Sequence, residues 1–223
     1  MTSNAAGSRL RLHVVTDDET LARDDFLRVA ATVVEAGADL LAFHVRGPRT
    51  SGRRIHEIAW QLVADVEASG GALLINDRVD VAMAIGTVGV HLGRRSLPLG
   101  VARGLLGDGP PIGVSCHSPE SARDAASAGA TYLLAGNVRV SSSHPGVPGR
   151  GMPWLADMVA AAEATPVAAI GGIRLLDVPA ARNAGATGVA VLRGIWKSPD
   201  PATAVVEYIQ GLNAGNERNE ERK

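Results

Sequence analysis

The chain has 223 residues and a mass of 23.0 kDa, which corresponds to one domain or two small ones. Hydrophobic residues make up 46% of it and charged residues 20%, a composition that excludes a chain disordered throughout. A net charge of −1, an aromatic content of 3% and the lack of an apolar run of roughly 18 residues argue against a nucleic-acid partner and against a membrane span.

Eight short runs of leucine and β-branched residues predict strands. Most of them are apolar without alternation, which is typical of parallel strands buried on both faces. The first run differs because Arg11 and His13 interrupt its apolar residues. In chain order, the predicted strands are 10–15, 40–45, 72–75, 89–91, 112–115, 132–135, 167–170 and 188–191.

Helical patterns separate the predicted strands. The clearest is 55–66, where apolar residues recur at i, i+3, i+4 and i+7. The other patterns cover 26–33, 79–85, 97–106, 118–128, 155–162, 175–184 and 202–212. Ser118 followed by Pro119 predicts a helix start. Three Ala-Gly pairs predict left-handed residues where helices stop; they lie at 36–37, 128–129 and 184–185.

This alternation of strands and helices predicts a single (β/α)8 TIM barrel over residues 9–212, with flexible segments at 1–8 and 213–223. An open doubly wound sheet is the alternative. No Gly-x-Gly-x-x-Gly motif follows the first strand, which argues against the dinucleotide-binding form of that sheet. In a barrel, the active site lies at the mouth, the open end formed by the carboxyl ends of the strands.

Polar residues, glycines and several arginines follow the predicted strands, although the chain is nearly neutral. This composition favours an anionic small molecule at the mouth, and a phosphate in particular. Gly171, Gly172 and Gly194 would let backbone N–H groups approach a phosphate closely, with Arg193 as a nearby cation. The alternatives are that the arginines are solvated surface charges and that the glycines only make tight turns.

A long Gly-rich segment, 136–151, follows the sixth predicted strand. It contains three consecutive hydroxyls, Ser141 to Ser143, and then His144. Long loops on barrels are commonly lids or ligand clamps. A surface linker is the alternative interpretation.

Three histidines lie near the predicted mouth: His44, His117 and His144. An imidazole titrates near neutral pH, so each of the three is a candidate for proton transfer. His13 and His91 lie within predicted strands, where we expect hydrogen-bonded residues of the barrel interior. No spacing among the histidines indicates a zinc site.

The single cysteine, Cys116, also lies near the predicted mouth. Because the sequence offers it no activating partner, we expect a structural thiol. One cysteine cannot form an internal disulfide, and residues 1–8 do not have the apolar core of a signal peptide. These two features predict a cytoplasmic protein.

Five motifs occur at the predicted mouth in a fixed order. They are HVVTD at 13–17, LLINDRVDVAMAIGTVGVHLG at 73–93, IGVSCHS at 112–118, AAIGGI at 168–173 and AGATGVAVLRGI at 184–195. Each motif alone is weak, but in this combination they resemble thiamine phosphate synthase and its TenI-like relatives. The resemblance extends from about residue 12 to residue 212.

The resemblance implies a chemistry. In the synthases, a pyrimidine pyrophosphate loses pyrophosphate and a thiazole phosphate captures the carbocation, while Mg²⁺ and protein cations stabilise the leaving group. By the same resemblance, Asn76 and Asp77 are the pair in which the aspartate binds the metal. The remaining implied ligand-binding residues are Arg46, Ser115, Gly171 and Gly172.

The chain departs from the synthase pattern where charge is needed. The glutamine that begins the pattern after strand 2 is His44 here, and a lysine four residues later is Pro48. A second metal-binding aspartate is replaced by Ser96, and a lysine after strand 6 by His144. The hydroxyls of that segment remain, so Ser141 and Ser143 stay candidate binding residues. Loss of a carboxylate weakens Mg²⁺ binding.

These departures favour the TenI-like branch, whose activity is tautomerisation of a thiazole carboxylate phosphate. The acid–base histidine of that branch is Asn137 here, which leaves Asn137 as a binding residue and proton transfer to His117, His144 or His44. The leading hypothesis is therefore a thiazole tautomerase, or a relative that has lost this activity, without a cofactor. The alternatives are a Mg²⁺-dependent thiamine phosphate synthase and a non-catalytic binding or regulatory protein. Each would bind a phosphorylated thiazole or pyrimidine, and self-association as a homo-oligomer is left open.

Overall fold

The computed structural model describes residues 10–141 and 146–214, so the predicted flexible segment 1–8 and most of the predicted segment 213–223 lie outside the described residues. Asn213 is the exception to the second prediction, because it ends the last helix. Eight parallel strands form a closed barrel in which each strand pairs with the next and β8 pairs with β1. The strands are β1 (Leu12–Val15), β2 (Leu41–Val45), β3 (Ala72–Asn76), β4 (Gly89–Leu92), β5 (Ile112–Cys116), β6 (Tyr132–Ala135), β7 (Val167–Ile170) and β8 (Gly188–Val191). The predicted (β/α)8 fold is confirmed, with strand ends within about two residues of their predicted positions.

Helices connect the strands. They are α1 (Asp18–Leu21), α2 (Phe26–Gly37), α3 (Gly52–Ser69), α4 (Val79–Ile85), α5 (Leu99–Leu106), α6 (Pro119–Ser127), α7 (Gly151–Ala161), α8 (Val178–Asn183), α9 (Arg193–Trp196) and α10 (Pro201–Asn213), with 3₁₀ turns at Ala38–Leu40 and Leu175–Asp177. Ser118 caps α6 as predicted, since its hydroxyl accepts a hydrogen bond from the N–H of Ser121 at 3.2 Å. None of the helices in the described ranges is long and apolar enough to cross a membrane.

Two of the three predicted glycine stops have the expected backbone. Gly129 and Gly185 follow α6 and α8 with φ angles of 86° and 91°. The prediction for Gly37 is wrong, because its φ is −86° and the left-handed residue is Ala38. A Cβ at Gly37 would lie 2.7 Å from the Cβ of Leu41, so close packing against β2 explains this glycine.

The core has two layers. The larger layer lies between the strands and the surrounding helices, and the smaller one fills the barrel. Inside the barrel, the ring of Tyr132 occupies space that neighbouring strands leave free. A Cβ at Gly113 would lie 2.0 Å from that ring, and Ala42, Ala168 and Ala190 contribute only methyl groups to the same interior. Small and large residues thus complement each other in volume.

Candidate active site at the mouth of the barrel

Arg46 directly follows β2 and is held at the mouth by its backbone. The buried hydroxyl of Thr16, which follows β1, accepts a hydrogen bond from the N–H of Arg46 at 2.8 Å and lies 3.0 Å from the carbonyl oxygen of His44. This side chain joins the first two strands at their carboxyl ends. The half-buried side chain of Arg46 therefore starts from a fixed position, as binding of an anion requires.

Asp77 joins the loops that follow β3 and β4. Its backbone is in the left-handed region, with a φ of 65°, and its Oδ1 accepts hydrogen bonds from the N–H of Gly93 at 3.1 Å and from the hydroxyl of Ser96. Position 96 is the one where the resemblance expects a second metal-binding carboxylate. The structure places the hydroxyl of Ser96 in hydrogen-bond contact with Asp77, so position 96 lies beside this carboxylate.

The side chains around Asp77 decide how a metal ion would be held. Within residues 10–141 and 146–214, no group of three or more histidine, cysteine or acidic side chains is arranged to hold one. Asp77 offers one carboxylate beside the hydroxyl of Ser96. Mg²⁺ commonly binds through one or two carboxylates together with substrate phosphates and water. The donor set therefore fits a Mg²⁺ ion that is shared with a bound diphosphate, not one held by the protein alone.

His44 lies in the barrel interior and not at the exposed mouth. Its side chain is fully buried, its Nδ1 is 3.0 Å from Oδ1 of Asn76, and its Nε2 is 3.0 Å from Nδ1 of His13. Burial lowers the pKa of His44 to about 4, and the nearby charge of Arg46 acts in the same direction. A buried imidazole that stays neutral at pH 7 is poorly suited to the proton transfer that the sequence suggested.

His13 and His91 occupy the interior, as expected. His91 lies 2.8 Å from the hydroxyl of Ser115 through Nε2 and 3.1 Å from the hydroxyl of Tyr132 through Nδ1. Burial lowers the pKa of both His13 and His91 well below the usual range, and the charge that His44 carries when protonated acts in the same direction. Ser115, a predicted binding residue, thus lies at the end of β5 with its hydroxyl in contact with a buried, neutral imidazole.

His117 is an exposed histidine at the mouth. Its Nδ1 lies 2.8 Å from the carbonyl oxygen of Gly136. Because a carbonyl oxygen only accepts, Nδ1 carries a proton, and Nε2 is left as the nitrogen that faces away from this bond. His144 and Ser143, two further predicted site residues, lie outside the described residues. Cys116 is buried, and burial raises the pKa of its thiol to about 11, which fits the expected structural role.

The turn after β7 is covered by the loop after β6. The carbonyl oxygen of Gly171 accepts a hydrogen bond from the N–H of Arg139 at 2.9 Å. A Cβ at Gly171 would lie 2.6 Å from the Cβ of Asn137, and one at Gly172 would lie 2.3 Å from the carbonyl oxygen of Val140. The two glycines are therefore needed for loop packing, whatever they also contribute to phosphate binding.

Two further predicted residues of this loop are placed by the structure. The side-chain amide of Asn137 donates to the carbonyl oxygen of Pro148 at 3.3 Å, within its own loop. The hydroxyl of Ser141 is buried and has no hydrogen-bond partner among the described residues. Asn137 is therefore engaged in shaping the loop, while the hydroxyl of Ser141 is available to a ligand or to water.

An ion-pair network that the sequence analysis missed holds the same two loops together. The carboxylate of Asp177, only 1% exposed, lies 3.0 Å from Nη2 of Arg139 and 3.2 Å from Nε of Arg174. Burial opposes ionisation of Asp177, but hydrogen bonds from Arg174 and the charge of Arg139 outweigh it and lower the pKa of the carboxyl. Residues so far apart in the chain give no local signal of this pairing.

Arg193 and Gly194 form the start of α9, directly after β8. The side chain of Arg193 is exposed, and a Cβ at Gly194 would lie 2.4 Å from the hydroxyl oxygen of Tyr208. The indole N–H of Trp196, in the same short helix, donates to the carbonyl oxygen of Val15 at 2.8 Å. Gly194 is thus explained by packing, and Arg193 remains the cation of this loop that is available to a ligand.

Replacing Gly172 with alanine is expected to lower the free energy of unfolding by about 2–4 kcal/mol. The methyl group would collide with the loop after β6, and the φ of 65° adds backbone strain. Gly86 is a matched control, because it also has a positive φ but nothing lies within 4 Å of the Cβ position. Urea unfolding should show a loss of about 1 kcal/mol for Gly86→Ala. Equal losses in the two variants would contradict the packing explanation.

Comparison with known proteins gives a consistent result. A sequence model of the family described as thiamine monophosphate synthase matches residues 12–195. The chain is similar to the thiamine-phosphate synthase of Salinispora arenicola, with 36% identity over 91% of this chain and 97% of the relative. For the thiamine-phosphate synthase of Haloarcula marismortui, identity is 37% over 84% and 89% of the two chains. The solved structure of thiamine phosphate pyrophosphorylase from Pyrococcus furiosus superposes with a TM-score of 0.80 at 27% identity, covering 93% and 98%.

Proposed function

Because the chain belongs to the thiamine monophosphate synthase family, we propose that it is a thiamine phosphate synthase, a transferase that joins a pyrimidine pyrophosphate to a thiazole phosphate. The curated relatives favour this alternative over the tautomerase that the sequence departures suggested. The structural observation that supports the proposal is the contact between Asp77 and Ser96, since it brings position 96 next to the carboxylate that would hold the metal.

The first half of the proposed reaction is departure of pyrophosphate. The bond between the pyrimidine methylene carbon and the pyrophosphate oxygen breaks, and the electron pair leaves with the oxygen. Asp77 would hold Mg²⁺ together with the pyrophosphate, and the metal would neutralise the charge that develops on the leaving group. Arg46 would bind the same anion from β2, with its backbone held by Thr16. Departure of the leaving group is thus assigned to this side of the mouth.

The second half is capture of the carbocation by the thiazole nitrogen. We assign the phosphate of the thiazole substrate to the opposite side of the mouth, at the turn of Gly171 and Gly172 and near Arg193. The network around Asp177 would keep the loop that carries this turn in place before substrate binds. The two anionic groups of the substrates would then be held apart, with the reacting carbon and nitrogen between them.

A product assay tests the proposed function. Purified protein is supplied with the pyrimidine pyrophosphate, the thiazole phosphate and Mg²⁺, and thiamine phosphate is measured by chromatography. We expect product above the no-enzyme control and loss of turnover when a chelator removes the metal. A protein that binds both substrates but forms no product would overturn the proposal.

Restoring a carboxylate at position 96 provides a second test. Because the hydroxyl of Ser96 contacts Oδ1 of Asp77, Ser96→Asp would place two carboxylates together. We expect the Mg²⁺ concentration for half-maximal turnover to fall about tenfold, and Tm without metal to fall by about 2–4 °C through charge repulsion. Ser96→Asn, similar in size but uncharged, should do neither. If both variants needed the same Mg²⁺ concentration as the unsubstituted protein, a metal position beside Asp77 would be wrong.

One observation supports the tautomerase as a second candidate. His117 has an exposed ring at the mouth, and its Nδ1 donates to the carbonyl oxygen of Gly136, which leaves Nε2 accessible for proton transfer. The thiazole carboxylate phosphate tautomer is the substrate to offer. Its conversion to the aromatic form by the protein, and loss of that activity in His117→Gln, would support this function, whereas conversion at the uncatalysed rate would exclude it.

A further inference from the structure

A chain of buried hydrogen bonds runs from the mouth into the barrel across the first three strands. Asn76, the last residue of β3, contacts His44 of β2, and His44 contacts His13 of β1; both distances are 3.0 Å. The two histidine side chains are at most 1% exposed, so neither can reach a substrate at the mouth. We call Asn76, His44 and His13 the inner relay.

The acceptor at its outer end determines where the protons of the inner relay lie. Oδ1 of Asn76 is a carbonyl oxygen and only accepts, so Nδ1 of His44 carries a proton. The imidazole is neutral, so its Nε2 has no proton and accepts from Nδ1 of His13. Both histidines are therefore in the Nδ1–H tautomer.

The same contact defines the orientation of the amide of Asn76. With Oδ1 turned to the interior, the NH₂ group is the end that is free to meet a ligand, and no residue in the described ranges accepts from it. Asn76 itself is 8% exposed, next to the mouth residue Asp77. The opposite rotation would present a carbonyl oxygen to an anion, which is repulsive.

We infer that His44 and His13 are positioning residues that hold the amide of Asn76 with its NH₂ group toward the pyrophosphate of the substrate. The inference rests on the proposed function for the identity of that anion. It assigns to His44 a role other than proton transfer: the imidazole acts through Asn76 and contacts no reacting atom. The glutamine expected at position 44 from the family pattern could serve the same purpose, because its amide NH₂ can also donate to Oδ1 of Asn76.

Nitrogen-15 NMR of the ligand-free full chain, with labelled histidine, tests the proton positions independently of activity. We expect the signals of His44 and His13, assigned through His44→Gln and His13→Gln, to show a protonated Nδ1 and an unprotonated Nε2. Protonated Nε2 atoms in these two residues would mean that the amide of Asn76 faces the other way, and would overturn the inference.

Calorimetric titration with inorganic pyrophosphate and Mg²⁺ tests the consequence. We expect His44→Leu to weaken binding about tenfold, as loss of a directed hydrogen bond to an anion would do, and His44→Gln to retain it. In Asn76→Ala, the further change His44→Leu should have no additional effect, because the effect of His44 passes through Asn76. Unchanged binding in His44→Leu, or additive losses in the double variant, would overturn the inference.

The two proposals fail separately. If the unsubstituted protein bound no pyrophosphate and formed no thiamine phosphate, the proposed function would fail, while the NMR experiment would still decide the proton positions. If it formed product and His44→Leu formed it equally well with an unchanged KM, the positioning role would fail and the function would stand. Thermal unfolding of His44→Leu and His44→Gln shows whether each variant is folded before its binding is compared.

Discussion

Replacing Asp77 with asparagine is expected to lower the rate of thiamine phosphate formation about 10²- to 10³-fold at saturating Mg²⁺. The substitution removes the carboxylate that accepts a hydrogen bond from Ser96. Asparagine tolerates a positive φ and keeps an oxygen that can accept from Gly93 and Ser96, so the local backbone should persist. The loss would therefore report on the charge of Asp77 and not on folding.

The matched control is Asp108→Asn. Asp108 is an exposed carboxylate in the loop between α5 and β5, at the end of the barrel opposite the mouth. The substitution Asp108→Asn changes the net charge by the same amount as Asp77→Asn and should leave the rate of thiamine phosphate formation unchanged. Steady-state assays and thermal unfolding of both variants make the comparison. Full turnover by folded Asp77→Asn would show that this carboxylate does not hold the metal.

Acidification from pH 7 to pH 4 is expected to remove several kcal/mol from the free energy of unfolding, most of it below about pH 6.5. Burial lowers the pKa of His13, His44 and His91, so the unfolded chain binds more protons than the folded one over this range. Stability is therefore complete above the unfolded value of 6.5 and decreases as the pH falls. His44, with a folded value of about 4, contributes a loss of about 3 kcal/mol by itself.

Urea unfolding at a series of pH values measures this effect. His44→Gln removes one titrating group and should reduce the slope by about 1.4 kcal/mol per pH unit between pH 6 and pH 4.5. His56→Gln, on α3 outside the barrel, is the control and should leave the slope unchanged. An identical slope in His44→Gln and the unsubstituted protein would mean that His44 is protonated in the folded state.

The barrel and its mouth could be predicted because the signals for them are local. A parallel strand buried on both faces has a continuous apolar sequence, and the residue that follows it must lie at the mouth, as Arg46 and Asp77 do. To predict which way each side chain points, the alternation of side chains between the two faces of a strand must also be considered. Ala42 and His44 face the barrel interior, whereas Phe43 packs in the outer layer. Counting back two residues from Arg46 would have placed His44 on the same side, one layer deeper.

Contacts between distant loops could not be predicted. Asp177 and Arg139 are 38 residues apart and belong to loops whose relative position depends on the closed barrel. The same holds for Gly172. It must lack a side chain because the carbonyl oxygen of Val140, on another loop, occupies the space of a Cβ. A sequence pattern reports the periodicity of a single helix or strand. Each of these contacts depends instead on the relative position of two loops.

The polar groups inside the barrel divide into two sets of consecutive strands. The inner relay uses β1 to β3, and the bonds of His91 to Ser115 and Tyr132 use β4 to β6. β7 and β8 add only apolar side chains such as Ala168 and Ala190 to this interior. During synthesis from the amino terminus, all of these buried hydrogen bonds can therefore form before the last third of the chain has left the ribosome. Closure of the ring then adds backbone pairing, apolar packing and the bond from the indole N–H of Trp196 to the carbonyl oxygen of Val15.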